Sequence, residues 1–226
     1  MTRFLGPLCS VVALGFEAAA EYLPRAQTVC VGTPVREQFL QASSIDLPEL
    51  PIPPDVPLIV VVGGSQGAVA VNQLIRTCAP AWLEAGAWIV HQTGDHDPNA
   101  SSLQHPHYFP VPFYNHMAAL FRRATLVISR AGAGTLTELA IAHAPSILIP
   151  YPFAAEDHQT LNAEIFVHRG AARLFPEKGA TGDSFGRVLA DLLADAPGLQ
   201  AMAAASSDLA PRDAAIRVAD ALEVPR

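Results

Sequence analysis

The chain has 226 residues, 50% of them hydrophobic and only 15% charged, and its 14 Lys+Arg against 21 Asp+Glu give a net charge of −7. That length can bury the core of one large domain or two small ones, and the composition excludes an intrinsically disordered chain. The acidic balance lacks the basic footprint of a nucleic-acid binder and argues against general attraction to an anionic membrane.

Met1–Phe16 is the one apolar run near the start, with Arg3 supplying a positive charge before the mostly apolar Phe4–Phe16 and Ala18-Ala19-Ala20 behind. It reads either as a secretory signal or as a strand or helix packed inside a larger fold. Gly6, Pro7, Ser10 and Gly15 interrupt it, and it is too short to span a bilayer as a helix. Cys9, Cys30 and Cys78 form neither a disulfide framework nor a zinc pattern, which points to a reducing compartment. Five prolines between Pro48 and Pro57 make that stretch an extended connection, because proline can neither continue a helix nor donate to a sheet ladder.

A regular alternation follows. Leu58–Val62 is a β-branched run suited to a strand buried on both faces. A glycine turn leads into a helix from about Ala68 to Ala85. Strands are expected at Trp88–Gln92, His107–Pro112, Leu126–Ser129, Ser146–Pro150 and Ala172–Phe175. Helices are expected at His116–Arg123, Thr135–His143 and His158–Arg169, and two or three Ala-rich helices close the chain. Strand and helix in alternation predict an α/β fold, a parallel sheet covered by helices on both faces. Ligands of such sheets sit beyond the carboxyl ends of the strands, so the loops after Val62, Gln92, Pro112, Ser129 and Pro150 should face one site.

Three of these loops carry chemistry. In Gly63-Gly64-Ser65-Gln66-Gly67-Ala68, backbone N–H groups can converge and the helix start adds a positive dipole, which favours an anion such as phosphate. The spacing fits neither a P-loop nor the dinucleotide fingerprint, and a tight turn needing positive φ would also explain the glycines. The second loop, Ser129-Arg130-Ala131-Gly132-Ala133-Gly134-Thr135-Leu136-Thr137-Glu138, repeats the pattern. Here Thr135 and Glu138 fit a capping box, and Glu138 equally suits a ribose diol. In the third, Tyr151 to Asn162, Asp157 can cap a helix. Gln159 and Asn162 share one helix face, where their amides suit sugar hydroxyls. A solvated polar helix start explains the same pair. Asp95-His96-Asp97, with His105 and His107, hints at a metal, but the prolines and polarity of Gly94–His107 read as a surface loop. The remaining histidines, among them His91 and His143, read as structural.

Together these segments resemble the C-terminal half of the MurG family of UDP-N-acetylglucosamine transferases. The match comprises Val61-Val62-Gly63-Gly64-Ser65-Gln66-Gly67-Ala68, Asn72, His91-Gln92-Thr93-Gly94, Pro112-Phe113-Tyr114, Met117-Ala118, Ser129 through Ala133, Glu138-Leu139-Ala140, Asp157-His158-Gln159 and Asn162-Ala163. It runs in order from about Leu14, and the internal family segment resembled by Leu14-Gly15-Phe16-Glu17-Ala18 weighs against a signal. The resemblance implies one Rossmann-like half of a two-domain GT-B fold. It implies transfer of GlcNAc from UDP-GlcNAc to lipid I, with inversion, giving lipid II in peptidoglycan synthesis. No cofactor and no protein-held metal are implied.

By motif position, the resemblance assigns Arg36, Gly64, Ser65, Gln66 and Gly67 to the UDP-sugar site. It further assigns the backbone at Phe113 and Tyr114 to uracil, Thr135 to phosphate and Glu138 to the ribose. Ala133, Gln159 and Asn162 are assigned to the GlcNAc border. Residues 1–35 are expected to be a remnant of the acceptor domain with its hinge, and 36–226 the donor domain. The family's Gly-rich, His-containing acceptor loop, with its proposed catalytic base, has no match here. A truncated or split enzyme is therefore expected, and no base is assigned. At the hinge, Thr33 stands where the family usually has Asn. The implied location is cytoplasmic, peripheral on the inner face of the membrane. A non-catalytic UDP-sugar-binding module, or another GT-B enzyme such as a glycolipid synthase or a UDP-GlcNAc 2-epimerase, is the alternative.

Overall fold

A computed structural model describes residues 2–41, 47, 49–63 and 68–223. The chain opens with a short helix, α1 (Thr2–Leu5), and a 3-10 turn. Strands β1 (Val12–Leu14) and β2 (Thr28–Cys30) then pair in parallel as a small separate sheet. The apolar run near the start thus contains a strand. Gly32 follows with φ +82°, and a Cβ there would collide with Pro211 and crowd Ala214. Only glycine allows both the left-handed backbone and this close approach.

Helix α2 (Glu37–Leu40) leads into the proline-rich connection. The connection is held by side chains. Arg122 donates to the Phe39 and Gln41 carbonyls at 2.6 and 2.9 Å, Arg123 to those of Pro53 and Val56 at 2.6 and 2.8 Å, and Arg212 to that of Leu40 at 2.8 Å. Chain that cannot enter a ladder has its carbonyls satisfied by arginines instead.

The main domain alternates β3 (Leu58–Val62), α3 (Val69–Glu84), β4 (Trp88–Gln92), β5 (Tyr108–Val111), α4 (Met117–Arg123), β6 (Leu126–Ser129), α5 (Ala133–Ala142), β7 (Ser146–Leu148), α6 (His158–His168) and β8 (Ala172–Leu174). Three helices close it, α7 (Gly182–Ala194), α8 (Ala196–Ser206) and α9 (Ala214–Glu223). The sheet has the order β5-β4-β3-β6-β7-β8 and every pair is parallel.

The period of two in a strand sets the layers. Leu58, Val60 and Val62 pack with Leu120 and Phe121 of α4 and Leu136 and Leu139 of α5. Ile59 and Val61 face the other way, onto Val71, Ile75 and Trp82 of α3 and Phe185 of α7. A strand buried on both sides has no polar face, which is why Leu58–Val62 is uninterrupted. Near the carboxyl end of α5, His143 takes a left-handed conformation at φ 54°, so its place is a helix terminus.

From β3 the chain builds outward to β4 and β5, then returns to the other side of β3 for β6, β7 and β8. The order reverses between β3 and β6, and a crevice opens beyond their carboxyl ends at such a point. Val62 is level with Gln92 on one side and Ser129 on the other. The loops after β3, β4 and β6 therefore leave the sheet side by side.

Candidate functional site

Two helices start at this crevice. α3 begins after Ala68 and α5 after Gly132, and neither has a side-chain cap among the described residues. Their first N–H groups have no acceptor within the helix and carry the positive end of its dipole. Gly64, Ser65, Gln66 and Gly67 lie outside the described residues.

Glu138 is not part of a capping box. Gly132, with extended φ and ψ, takes the cap position and the helix begins at Ala133. Thr135 is thus the third helical residue, half-buried, and too far inside to cap. The Glu138 carboxylate instead faces Arg36, which lies 102 positions earlier. Arg36 Nε and one terminal nitrogen donate to its two oxygens at 2.8 and 3.0 Å. The Arg36 guanidinium also lies 5.2 Å from the centre of the Phe39 ring. This bidentate fork ties the segment after β2 to the helix beside the crevice.

The loops after β6 and β7 are braced together. Gln159 Oε1 accepts from the backbone N–H of Ala131 at 3.2 Å and of Tyr151 at 3.0 Å. Asn162 Nδ2 donates to the Ala131 carbonyl at 3.3 Å. These amides are therefore not merely a solvated helix start. Gln159 Nε2 and Asn162 Oδ1 have no partner among the described residues, which leaves one donor and one acceptor for a hydroxyl. Asp157 stands at the start of α6, but its carboxylate accepts from the Thr160 hydroxyl at 2.7 Å and caps no backbone N–H. Arg130 was not singled out by sequence reasoning. It donates to the Ile149 and Pro150 carbonyls at 3.1 Å, pairs with Glu177 and stacks over Tyr151. Ala133 is the first residue of α5, at the mouth of the crevice.

After β5, Phe113 is exposed while the Tyr114 side chain turns into the core. Gln92, at the end of β4, is buried and its Oε1 has no hydrogen-bond partner among the described residues. Its place at a strand end is legible in the sequence, but its unpartnered oxygen is not.

The loop after β4 is largely exposed, as its surface-loop reading expects, but one side chain in it turns inward. The Asp97 carboxylate is fully buried and pairs with Arg76, whose nitrogens lie 2.7 and 3.2 Å from it. Asn72 Nδ2 donates both to Asp97 Oδ2 at 2.7 Å and to the Thr93 carbonyl at 2.8 Å. Those donors commit Asn72 Oδ1 to accept from His91 Nε2 at 3.0 Å, so His91 Nδ1 accepts from the Tyr108 hydroxyl at 2.8 Å. A carboxylate engaged this way is not available to a metal, and no group of three or more His, Cys, Asp or Glu gathers for one among the described residues.

Burial alone would raise the Asp97 carboxyl, but the bonds from Arg76, the Asn99 amide and Asn72 outweigh it and hold the group below its usual value. Burial lowers His91 to about 3, helped by the nearby Arg76 charge and opposed by Asp97. His91 is therefore neutral when folded and protonates near 6.5 when unfolded. Its contribution to stability is complete above pH 6.5 and is lost as pH falls from there toward 3. The expected slope is about 1.4 kcal/mol per pH unit. Urea unfolding at pH 7 and pH 5 should show it, and His91→Gln should lose that share of the slope. An unchanged slope in the variant would contradict the neutral buried imidazole.

A cavity of about 940 Å³ lies at the opposite edge of the sheet, lined by Pro57, Trp82, Ala87, Thr125, Gly182 and Arg187 among others. It sits at the amino ends of β3, β4 and β6 and is mostly apolar. The crevice at the carboxyl ends, with its helix starts and carboxylate, is the better candidate site on chemical grounds.

Fold and crevice define the chain as a Rossmann-like α/β domain of the GT-B class, the C-terminal half of such a fold. Residues 58–218 match the glycosyltransferase family 28 C-terminal domain. The chain is 58% identical over 219 residues to the UDP-N-acetylglucosamine--N-acetylmuramyl-(pentapeptide) pyrophosphoryl-undecaprenol N-acetylglucosamine transferase of Trichormus variabilis, covering 97% of this chain and 61% of that protein. Against the enzyme of the same name from Trichodesmium erythraeum the identity is 56%, over 94% of this chain and 56% of that protein. The crystal structure of Acinetobacter baumannii MurG superposes with a TM-score of 0.75 at 28% identity, covering 97% of this chain and 62% of that one. The chain belongs to glycosyltransferase family 28 through its C-terminal domain. It spans about three-fifths of the length of the curated relatives it matches.

Proposed function

We propose that this chain is the donor-binding half of a MurG-type glycosyltransferase, binding UDP-GlcNAc for transfer of GlcNAc to lipid I. The observation that carries this reading is the pairing of two helix starts, α3 and α5, uncapped among the described residues, with the Glu138 carboxylate at one sheet crevice. The helix starts would offset diphosphate charge, and most strongly as UDP leaves. Glu138 would accept the two ribose hydroxyls, and Arg36, released from it, would meet a phosphate. Ser65, with the turn of Gly64, Gln66 and Gly67, would complete the phosphate cradle, and Thr135 would add a hydroxyl.

The backbone at Phe113 and Tyr114 would read the base. Gln159 and Asn162, with Ala133, would border the sugar. The donor domain is taken to run from Arg36 onward, with residues 1–35 belonging to the acceptor side and hinge. The acceptor site and the base that deprotonates its hydroxyl would come from outside the matched domain. No helix among the described residues is long and apolar enough to cross a membrane. Reaching a lipid-linked acceptor would then rest on peripheral attachment to the cytoplasmic face of the membrane.

Titration calorimetry tests the reading. UDP-GlcNAc should bind saturably at one site and UDP should displace it. No binding of either nucleotide at millimolar concentration, near −4 kcal/mol of binding free energy, would overturn it.

A further inference from the structure

We propose that Arg76 and Asp97 are positioning residues for the nucleotide, acting through Asn72. This rests on the reading of the crevice as a donor site.

The pair is costly in isolation. The Asp97 side chain is fully buried and that of Arg76 nearly so, and burying an ion pair repays its desolvation only when every hydrogen bond is made. Here they are made, and they lead toward the crevice. The Asp97 oxygen bound by Arg76 at 2.7 Å also accepts from Asn72 at 2.7 Å. Asn72 closes the first turn of α3, its own N–H donating to the Ala68 carbonyl at 2.8 Å. The same amide grips the Thr93 carbonyl at 2.8 Å, directly beyond β4. Thr93 N–H in turn donates to Val111 at the end of β5 at 2.9 Å.

One carboxylate thus joins the start of α3 to the loops leaving β4 and β5. All three face the crevice. A pair serving stability alone could sit anywhere along α3; this one sits where the helix meets the crevice. Polar networks of this kind specify a geometry more than they add net stability. Displacing a binding group by about 1 Å is enough to weaken its contact severely.

Two variants separate positioning from stability. Asp97→Asn keeps the shape and removes the charge. The double variant Arg76→Met with Asp97→Leu removes both charges together, which keeps folding stability near wild type but leaves the Asn72 amide without its carboxylate acceptor. Each is compared with wild type by thermal unfolding and by UDP calorimetry. The expected result is that the double variant melts near the wild-type temperature yet binds UDP about ten-fold more weakly. Asp97→Asn should lose affinity as well. Wild-type affinity in the folded double variant would overturn the inference and leave the donor site intact. No UDP binding by wild type would instead overturn the donor reading on which the inference rests. Should the double variant not fold, full UDP affinity in Asp97→Asn overturns the inference equally.

Discussion

Glu138→Ala is expected to abolish the preference of this chain for UDP over 2′-deoxy-UDP. A carboxylate accepting a ribose hydroxyl contributes about 2 kcal/mol, as hydrogen bonds to charged groups do, or roughly thirty-fold in affinity. The wild-type chain should therefore bind UDP more tightly than its 2′-deoxy form by about that factor, and the variant should bind both alike. The comparison is needed because Glu138 has a second partner. Both of its oxygens are held by Arg36 at 2.8 and 3.0 Å, so its removal also frees a guanidinium beside the proposed phosphate site. A simple affinity loss would mix the two effects, whereas the ratio between the ligands isolates the hydroxyl. Calorimetry with four protein–ligand pairs completes the cycle. A variant that still discriminates as wild type does would remove Glu138 from the ribose.

Phe39→Ala is expected to cost about 3–5 kcal/mol of folding free energy, as large-to-small changes at buried aromatics do. Phe39 is fully buried and its ring lies 5.9 Å from that of Phe121 in α4. Its carbonyl accepts from Arg122, and Arg36 sits over its ring. The residue thus fastens the segment after β2 onto the main domain and fixes the base from which Arg36 reaches Glu138. Equilibrium urea unfolding reads the stability, and UDP affinity should fall in the variant that remains folded. A loss under about 1 kcal/mol would mean that α2 rests on the domain without anchoring it.

The central strands were legible because burial on both faces leaves one pattern, an unbroken β-branched run. Leu58–Val62 and Leu126–Ser129 stand where the sequence places them. The parallel order followed from alternation, and with it the edge on which the crevice lies. What local pattern could not carry was any contact set by distant chain. Thr135 and Glu138 have the spacing of a capping box, yet Gly132 starts the helix earlier and Arg36, in the segment after β2, claims the carboxylate. Asp97 sits among prolines and polar residues that read as surface, and only α3, folded back over the loop, buries it. Gln159 and Asn162 were found by their shared face, but their role in bracing the Ala131 turn depends on a loop 28 and 31 positions away.

The central claim is that the nucleotide lies at the carboxyl edge, between the starts of α3 and α5. Hydrogen exchange with and without saturating UDP tests it directly. The account predicts slower exchange at Val69–Asn72 and Ala133–Leu136, with no change around Trp82 and Gly182–Gly186 at the amino edge. Protection confined to the amino-edge cavity, with α3 and α5 starts unaffected, would contradict it.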